Sequence, residues 1–320
     1  MSGSASLASR AEQAHALQAL ACEWINRQPL ASNASLQAIE QVARQQLQQM
    51  VFPDRKTEAW KYTTLAPLNQ VALWQSVATP AVDHCAAAIT IDAAARLSLY
   101  GGHAVLNSGN GSETAPALDS SSHASSNSSS QRSLDTPQFK IKRLADLDAT
   151  ELARYLPLLT LDARWQAHPF AQLCEASLHQ GWLIVIKANQ RLEKPIVIEQ
   201  CSGQNAGTSN LRILVVVESG AEATLVQLSD SLQKTDSLAT VSDSATQATS
   251  SLQMALVQVH VQDNAALQQV QLQLAEENSH QILATQTTLN RDSRYRHYAI
   301  SLGTALLRND LHLQFTAAGA

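Results

Sequence analysis

The stretch MALVQVHVQDNAALQQVQLQL (254–274) decides the fold. Val257, Val259 and Val261 alternate with Gln258, His260 and Gln262. After a short link, Val270, Leu272 and Leu274 alternate with Gln271 and Gln273. A period of two places successive side chains on opposite faces of a strand. The alternation predicts two strands, with Val and Leu inward and Gln and His outward.

The same period extends in both directions. Upstream lie WLIVI (182–186), PIVIE (195–199), LRILVVV (211–217) and ATLVQL (223–228). Downstream lie ILATQTTL (282–289), RYRHYAIS (294–301) and LLRNDLHLQF (306–315). Centres near Val257, Val270, Leu283, Tyr298 and Leu311 are spaced by 13, 13, 15 and 13 residues. Links such as Gln262 to Ala266 carry few of the Gly, Asn and Pro signals that mark sandwich hairpins. Steady spacing, one buried face and soft links predict a β-solenoid with two strands per coil.

Before Gly181 the period is helical. Leu17, Leu20, Ala21, Trp24 and Ile25 form one apolar stripe behind a Ser9-to-Glu12 capping box. Leu36, Ile39, Ala43, Leu47 and Met50 form a second. Leu97 to Leu106, turning at Gly101-Gly102, reads as a hairpin. Helical signals return from Leu144 to Leu159 and from Pro169 to Gln180. The serine-rich run 119–130 cannot bury enough apolar surface to offset its ordering entropy and reads as a linker. The expected organisation is a mainly helical N-terminal domain (1–106), a linker (107–138), a helical entry segment (139–181) and an incomplete β-helix (182–320) with a polar insertion at 229–251. The expected fold class is mainly β, a right-handed parallel β-helix preceded by helices.

Composition excludes several functions. Of 320 residues, 45% are hydrophobic, so a wholly disordered chain is ruled out. A net charge of −5 argues against binding nucleic acid or an anionic membrane. No apolar run reaches the ~20 residues of a membrane span. The Ser-rich N-terminus lacks a secretory hydrophobic stretch, so the cytoplasm is expected. Cys22, Cys85, Cys174 and Cys201 are scattered without metal-ligand spacing and read as small buried apolar groups in a reducing compartment. His84-Cys85 has no visible partner and reads as inert.

The segment FPDRKTEAWKYT (52–63) resembles the R-x-x-E-x-W-[KR]-Y-T signature of SufD-type members of the SufB/SufD family, components of the SUF iron–sulfur cluster assembly system. RLEKPIVIE (191–199), LRILVVVESGAEATLVQ (211–227) and GTALLRNDLHLQFTAAGA (303–320) are similar to strands of the same family. The resemblance implies a non-catalytic scaffold subunit. It also implies pairing with a homologous SufB-type subunit, and a separate SufC-type ABC ATPase that hydrolyses the nucleotide. Members of the family continue into further coils and a C-terminal helical domain that docks the ATPase, so a truncated chain is expected. No G-x-x-x-x-G-K-[ST] loop occurs.

Arg55, Glu58, Trp60, Tyr62 and Thr63 carry the signature and are expected to form a packed helix start with an Arg55–Glu58 pair. No catalytic, cofactor or metal residue is expected. His260 and His312, with Arg308 and Asp310, sit on the polar phase of their strands and read as a solvated outer face. Cluster ligation needs thiolates, and Cys201 is the single cysteine in the strand region. The chain alone is therefore expected to hold no cluster. A solenoid polysaccharide lyase or hydrolase is the rival. It needs stacked carboxylates, and Asp263, Asp292 and Asp310, 29 and 18 residues apart, do not fit a coil of about twice 13. A third reading is a β-helix interaction protein unrelated to clusters, separated from the first only by residues 52–63.

Overall fold

The computed structural model describes residues 10–74, 91–100, 103–109, 133–202, 207–231, 250–274 and 278–320. His84-Cys85, Gly101-Gly102, the serine-rich run, Ser9 and most of the 229–251 stretch lie outside these residues.

Two helices open the chain, α1 (Arg10–Arg27) and α2 (Ala34–Gln49). Asn33 caps α2, its side chain accepting from the backbone of Ser35 and Leu36. Leu17, Ala21, Trp24 and Ile25 of α1 are buried, as their spacing predicts. On α2 the buried set is Leu36, Glu40, Ala43 and Leu47, so a carboxylate takes a core position beside the apolar stripe. Glu40 accepts hydrogen bonds from Ala31 N and His179 N, both at 2.7 Å, and its Oε1 lies 3.1 Å from His179 Nδ1. Those partners satisfy a buried carboxyl group that would otherwise be costly.

Three short helices follow later, α3 (Ala149–Tyr155), α4 (Ala163–Gln166) and α5 (Pro169–Glu175). A full capping box between Asp148 and Glu151 starts α3.

The strands are β1 (Ala95–Tyr100), β2 (His103–Ser108), β3 (Ser133–Asp135), β4 (Phe139–Arg143), β5 (Trp182–Ile186), β6 (Ile196–Ser202) and β7 (Gly207–Val217). They continue as β8 (Glu222–Ser231), β9 (Ser251–Val261), β10 (Ala266–Leu274), β11 (Ser279–Leu289), β12 (Arg294–Ser301) and β13 (Leu306–Phe315). All nine segments read as strands after Gly181 are strands. They form two mixed sheets, ordered β12-β10-β8-β6-β1-β2 and β13-β11-β9-β7-β5-β4-β3. From β5 onward successive strands alternate between the sheets, and from β7 onward each pairs in parallel with the strand two before it. Antiparallel pairing is confined to β1–β2, β3–β4 and β4–β5. Ala266 lies opposite Arg294 and Ser251 opposite Ser279, a step of 28 residues.

The backbone of the links corrects their reading as poor in turn signals. Asn189, Gly220, Asn264, Asp292 and Gly319 all have positive φ, between 55° and 79°. They follow one another down the molecule, each amide of the first four donating to the next turn: Asn189 N to Ser219 O, Gly220 N to Asp263 O, Asn264 N to Arg291 O, Asp292 N to Ala318 O. Asn, Asp and Gly are the residues that tolerate this left-handed conformation. The turn signal is one residue per return rather than a Gly/Pro cluster.

The core between the sheets holds Ile184, Ile213, Val215, Val257, Val259, Val261 and Leu283 among others. For β9 the predicted phase is right. For β10 it is inverted: Leu267, Gln269, Gln271 and Gln273 are buried, whereas Val270 and Leu272 are half-buried on the outer face against Ala93, Val197 and Val226. The glutamines face inward because neighbouring strands supply hydrogen bonds there; Gln271 Nε2 donates to Gln227 Oε1 at 3.1 Å, and Gln271 Oε1 accepts from Asn309 Nδ2 at 2.7 Å. The outer face of the seven-stranded sheet is not solvated either. Leu252, Met254, Leu256, Ile282 and Ala284 pack there against the helical segments. His260 accordingly bonds Leu158 O at 3.0 Å, and burial lowers its pKa.

Candidate functional site

Two sequence features 245 residues apart meet on that outer face: the signature at 55–63 and the Arg308–Asp310 pair of β13. Asp54 shapes the signature turn, its Oδ1 accepting from Lys56 N at 2.8 Å and Thr57 N at 3.2 Å. A single 3₁₀ turn, Glu58–Trp60, then drives Trp60 into the core. Its ring lies 5.2 Å from that of His168 and 5.8 Å from that of Phe170, which also packs on Phe52. Pro169 at the first position of α5, with His168 as the cap, fixes both partners.

Arg308 closes over this turn. Its guanidinium carbon stands 3.7 Å from the centre of the Trp60 ring, a cation–π contact. Nη1 donates to Ala59 O at 2.9 Å and Thr63 Oγ1 at 3.1 Å. Nε and Nη2 grip the carboxylate of Asp310 at 2.5 and 2.8 Å. Asp310 Oδ2 is also 3.3 Å from His168 Nε2. Because His168 Nδ1 accepts from Ala171 N at 3.1 Å, Nε2 is the nitrogen that carries the proton in the neutral ring. Burial pushes the Asp310 carboxyl up, but the His168 and Arg308 hydrogen bonds and the guanidinium charge outweigh it, and its pKa is lowered. Two residues on, His312 Nδ1 lies 2.8 Å from Asp162 Oδ2, the residue that caps α4.

The expected residues therefore separate. Trp60 and Thr63 build the clasp. Arg55 and Glu58 are exposed and make no ion pair among the described residues, so the expected Arg55–Glu58 pair is absent from the turn, which is too short for that i, i+3 helical spacing. Tyr62 is 92% exposed. Arg55 instead lines an open cleft with Gln13, Thr63 and Asn69. Arg308, Asp310 and His312, read as a solvated face, are held against the helical segments. His168 had no sequence signal of its own beyond standing before Pro169.

Chemically the clasp holds; its donors and acceptors are spent on each other, and nothing in it is poised as a nucleophile. Among the described residues no three or more His, Cys, Asp or Glu side chains come together as a metal site. Cys174 is fully buried, and burial pushes its thiol up to about 12. Cys22 is a free thiol. Cys201 is disulfide-bonded, which corrects its reading as a free apolar group. Asp263 and Asp292 are drawn to one side chain, Arg291, at 3.1 and 3.8 Å, because their spacing of 29 is close to the real step of 28 rather than to twice 13. Asp310 is elsewhere, in the clasp. No helix among the described residues is long and apolar enough to cross a membrane.

Residues 198–320 match the family model described as SUF system FeS cluster assembly, SufBD core domain. The match supports the SufB/SufD family and does not separate SufD from SufB. No curated protein matches the chain.

Proposed function

We propose, taking the SufB/SufD family match as premise, that this chain is a SufD-type scaffold subunit of a SUF iron–sulfur cluster assembly complex. It pairs with a SufB-type subunit, works with a SufC-type ATPase, catalyses nothing by itself and acts in the cytoplasm. Its two alternating sheets are read as the coils of a right-handed parallel β-helix, whose edge strands offer the pairing surface. The cluster is cargo of the assembled complex, and this chain alone binds none. The observation that carries the SufD reading over SufB is the clasp: the 55–63 signature is seated on the Arg308–Asp310 strand of the matched region. A lyase reading gains no support, since Asp263 and Asp292 share Arg291 while Asp310 is bound to Arg308 and His168.

The test is co-expression with a SufB-type and a SufC-type subunit, followed by native mass spectrometry and ATPase assay. The expected result is one complex containing all three, with hydrolysis that needs the SufC-type subunit. A chain that stays alone while the other two assemble overturns the proposal, as does ATP hydrolysis or polysaccharide cleavage by the chain itself.

A further inference from the structure

Pairing across the six-stranded sheet sets Gln200, Ser229, Gln273 and Ser301 in one row, on β6, β8, β10 and β12. Gln200, Ser229 and Gln273 of this row are buried, Gln273 at 1% exposure, and Ser301 at the sheet edge is exposed. A serine between two glutamines is too short to fill its place, and a small cavity of about 10 Å³ opens there. Its polar lining is Gln200, Gln227, Ser229, Gln271 and Gln273; the facing wall, from the other sheet, is Leu211, Ala255 and Leu283.

Among the described residues Gln273 Nε2, a donor of a residue lining this cavity, has no protein acceptor. Its carbonyl end is used, since Gln273 Oε1 accepts from Ser301 Oγ. Two of the acceptors lining the cavity are already engaged. Gln227 Oε1 receives Gln269 and Gln271, and Gln271 Oε1 receives Asn309. A buried amide donor is rarely left unmade.

We infer that the cavity is a binding site for one water molecule, which accepts from Gln273 Nε2 and completes the Gln200–Ser229–Gln273 row. Ligand chemistry and size both select water. The volume admits about one water-sized molecule. The orphan is a donor, so the ligand must offer an acceptor, which excludes ammonium and metal ions. No cationic side chain lines the cavity, which excludes an anion.

The test uses the full chain, labelled at glutamine side-chain nitrogens, and reads water-to-amide cross-relaxation by NMR. The expected result is a long-lived water signal at the Gln273 amide, lost in Ser229→Gln, whose longer side chain fills the gap and accepts from Gln273 directly. Should Ser229→Gln fail to fold, Ser229→Asn makes the same replacement with less bulk. Absence of the signal in the unsubstituted chain overturns the inference, and so does a signal that survives in a folded Ser229 variant.

Discussion

Arg212 is a buried cation whose every nitrogen is engaged. Its side chain is fully buried, with Nε 2.8 Å from Glu175 Oε2. Nη1 donates to Ile213 O at 3.2 Å, Nη2 to Leu159 O at 3.3 Å and to Gln258 Oε1. Burial still raises the Glu175 pKa against the guanidinium beside it. Breaking a buried pair leaves an uncompensated charge, whereas replacing both partners by apolar groups is often tolerated. Arg212→Met is expected to cost about 3–5 kcal/mol, and the double variant with Glu175→Met distinctly less than that single change. Denaturant midpoints decide it; a double variant no more stable than Arg212→Met would show that the ion pair is not the source of the cost. Neither Arg212 nor the buried Glu40 was legible as a core residue. Each is a charged side chain on an otherwise apolar face, Arg212 with Leu214 and Val216 and Glu40 with Leu36 and Ala43. The partners Glu175 and His179 that satisfy them lie elsewhere in the sequence.

At the scale of elements, the clasp ties β13 to the signature turn and to the cap of α5. Arg308→Ala removes a bidentate carboxylate contact, two bonds to the turn and the cation–π contact, and is expected to cost about 1–3 kcal/mol near neutral pH. The pH dependence follows from Asp310, whose folded pKa is lowered. Its stabilisation is full above the ordinary carboxylate pKa of about 3.9 and is lost as pH falls through the lower folded value. The stability gap between the unsubstituted chain and Asp310→Asn should therefore close only in acid below about pH 4. A gap that is flat down to pH 3 would remove Asp310 from the account. Periodicity revealed the strands and helices that meet here, and the resemblance of 52–63 and 303–320 to one family pointed at both halves. Their contact was illegible, because no local pattern reports a hydrogen bond between Thr63 and Arg308.

Across the whole molecule, alternation gave the strands but could not assign the inner face of β10, since both faces of its sheet carry apolar neighbours and the buried one also bonds glutamines. What holds the returns in step is the column of left-handed turns from Asn189 to Gly319, each passing an amide hydrogen bond to the next. Asn264, at φ 57°, stands in the middle of it and its side chain is exposed. Substitutions there report backbone conformation with little contribution from packing. Left-handed geometry costs an ordinary L-residue about 1–2 kcal/mol, spares glycine, and is worst for a β-branched side chain. Asn264→Gly is expected within about 0.5 kcal/mol of the unsubstituted chain, Asn264→Ala about 1 kcal/mol below it, and Asn264→Val lower still. This order reverses the ordinary strand preference for valine over glycine. Urea midpoints for the three variants measure it. If Asn264→Val proved as stable as Asn264→Gly, the left-handed column would not be what keeps the two sheets in register.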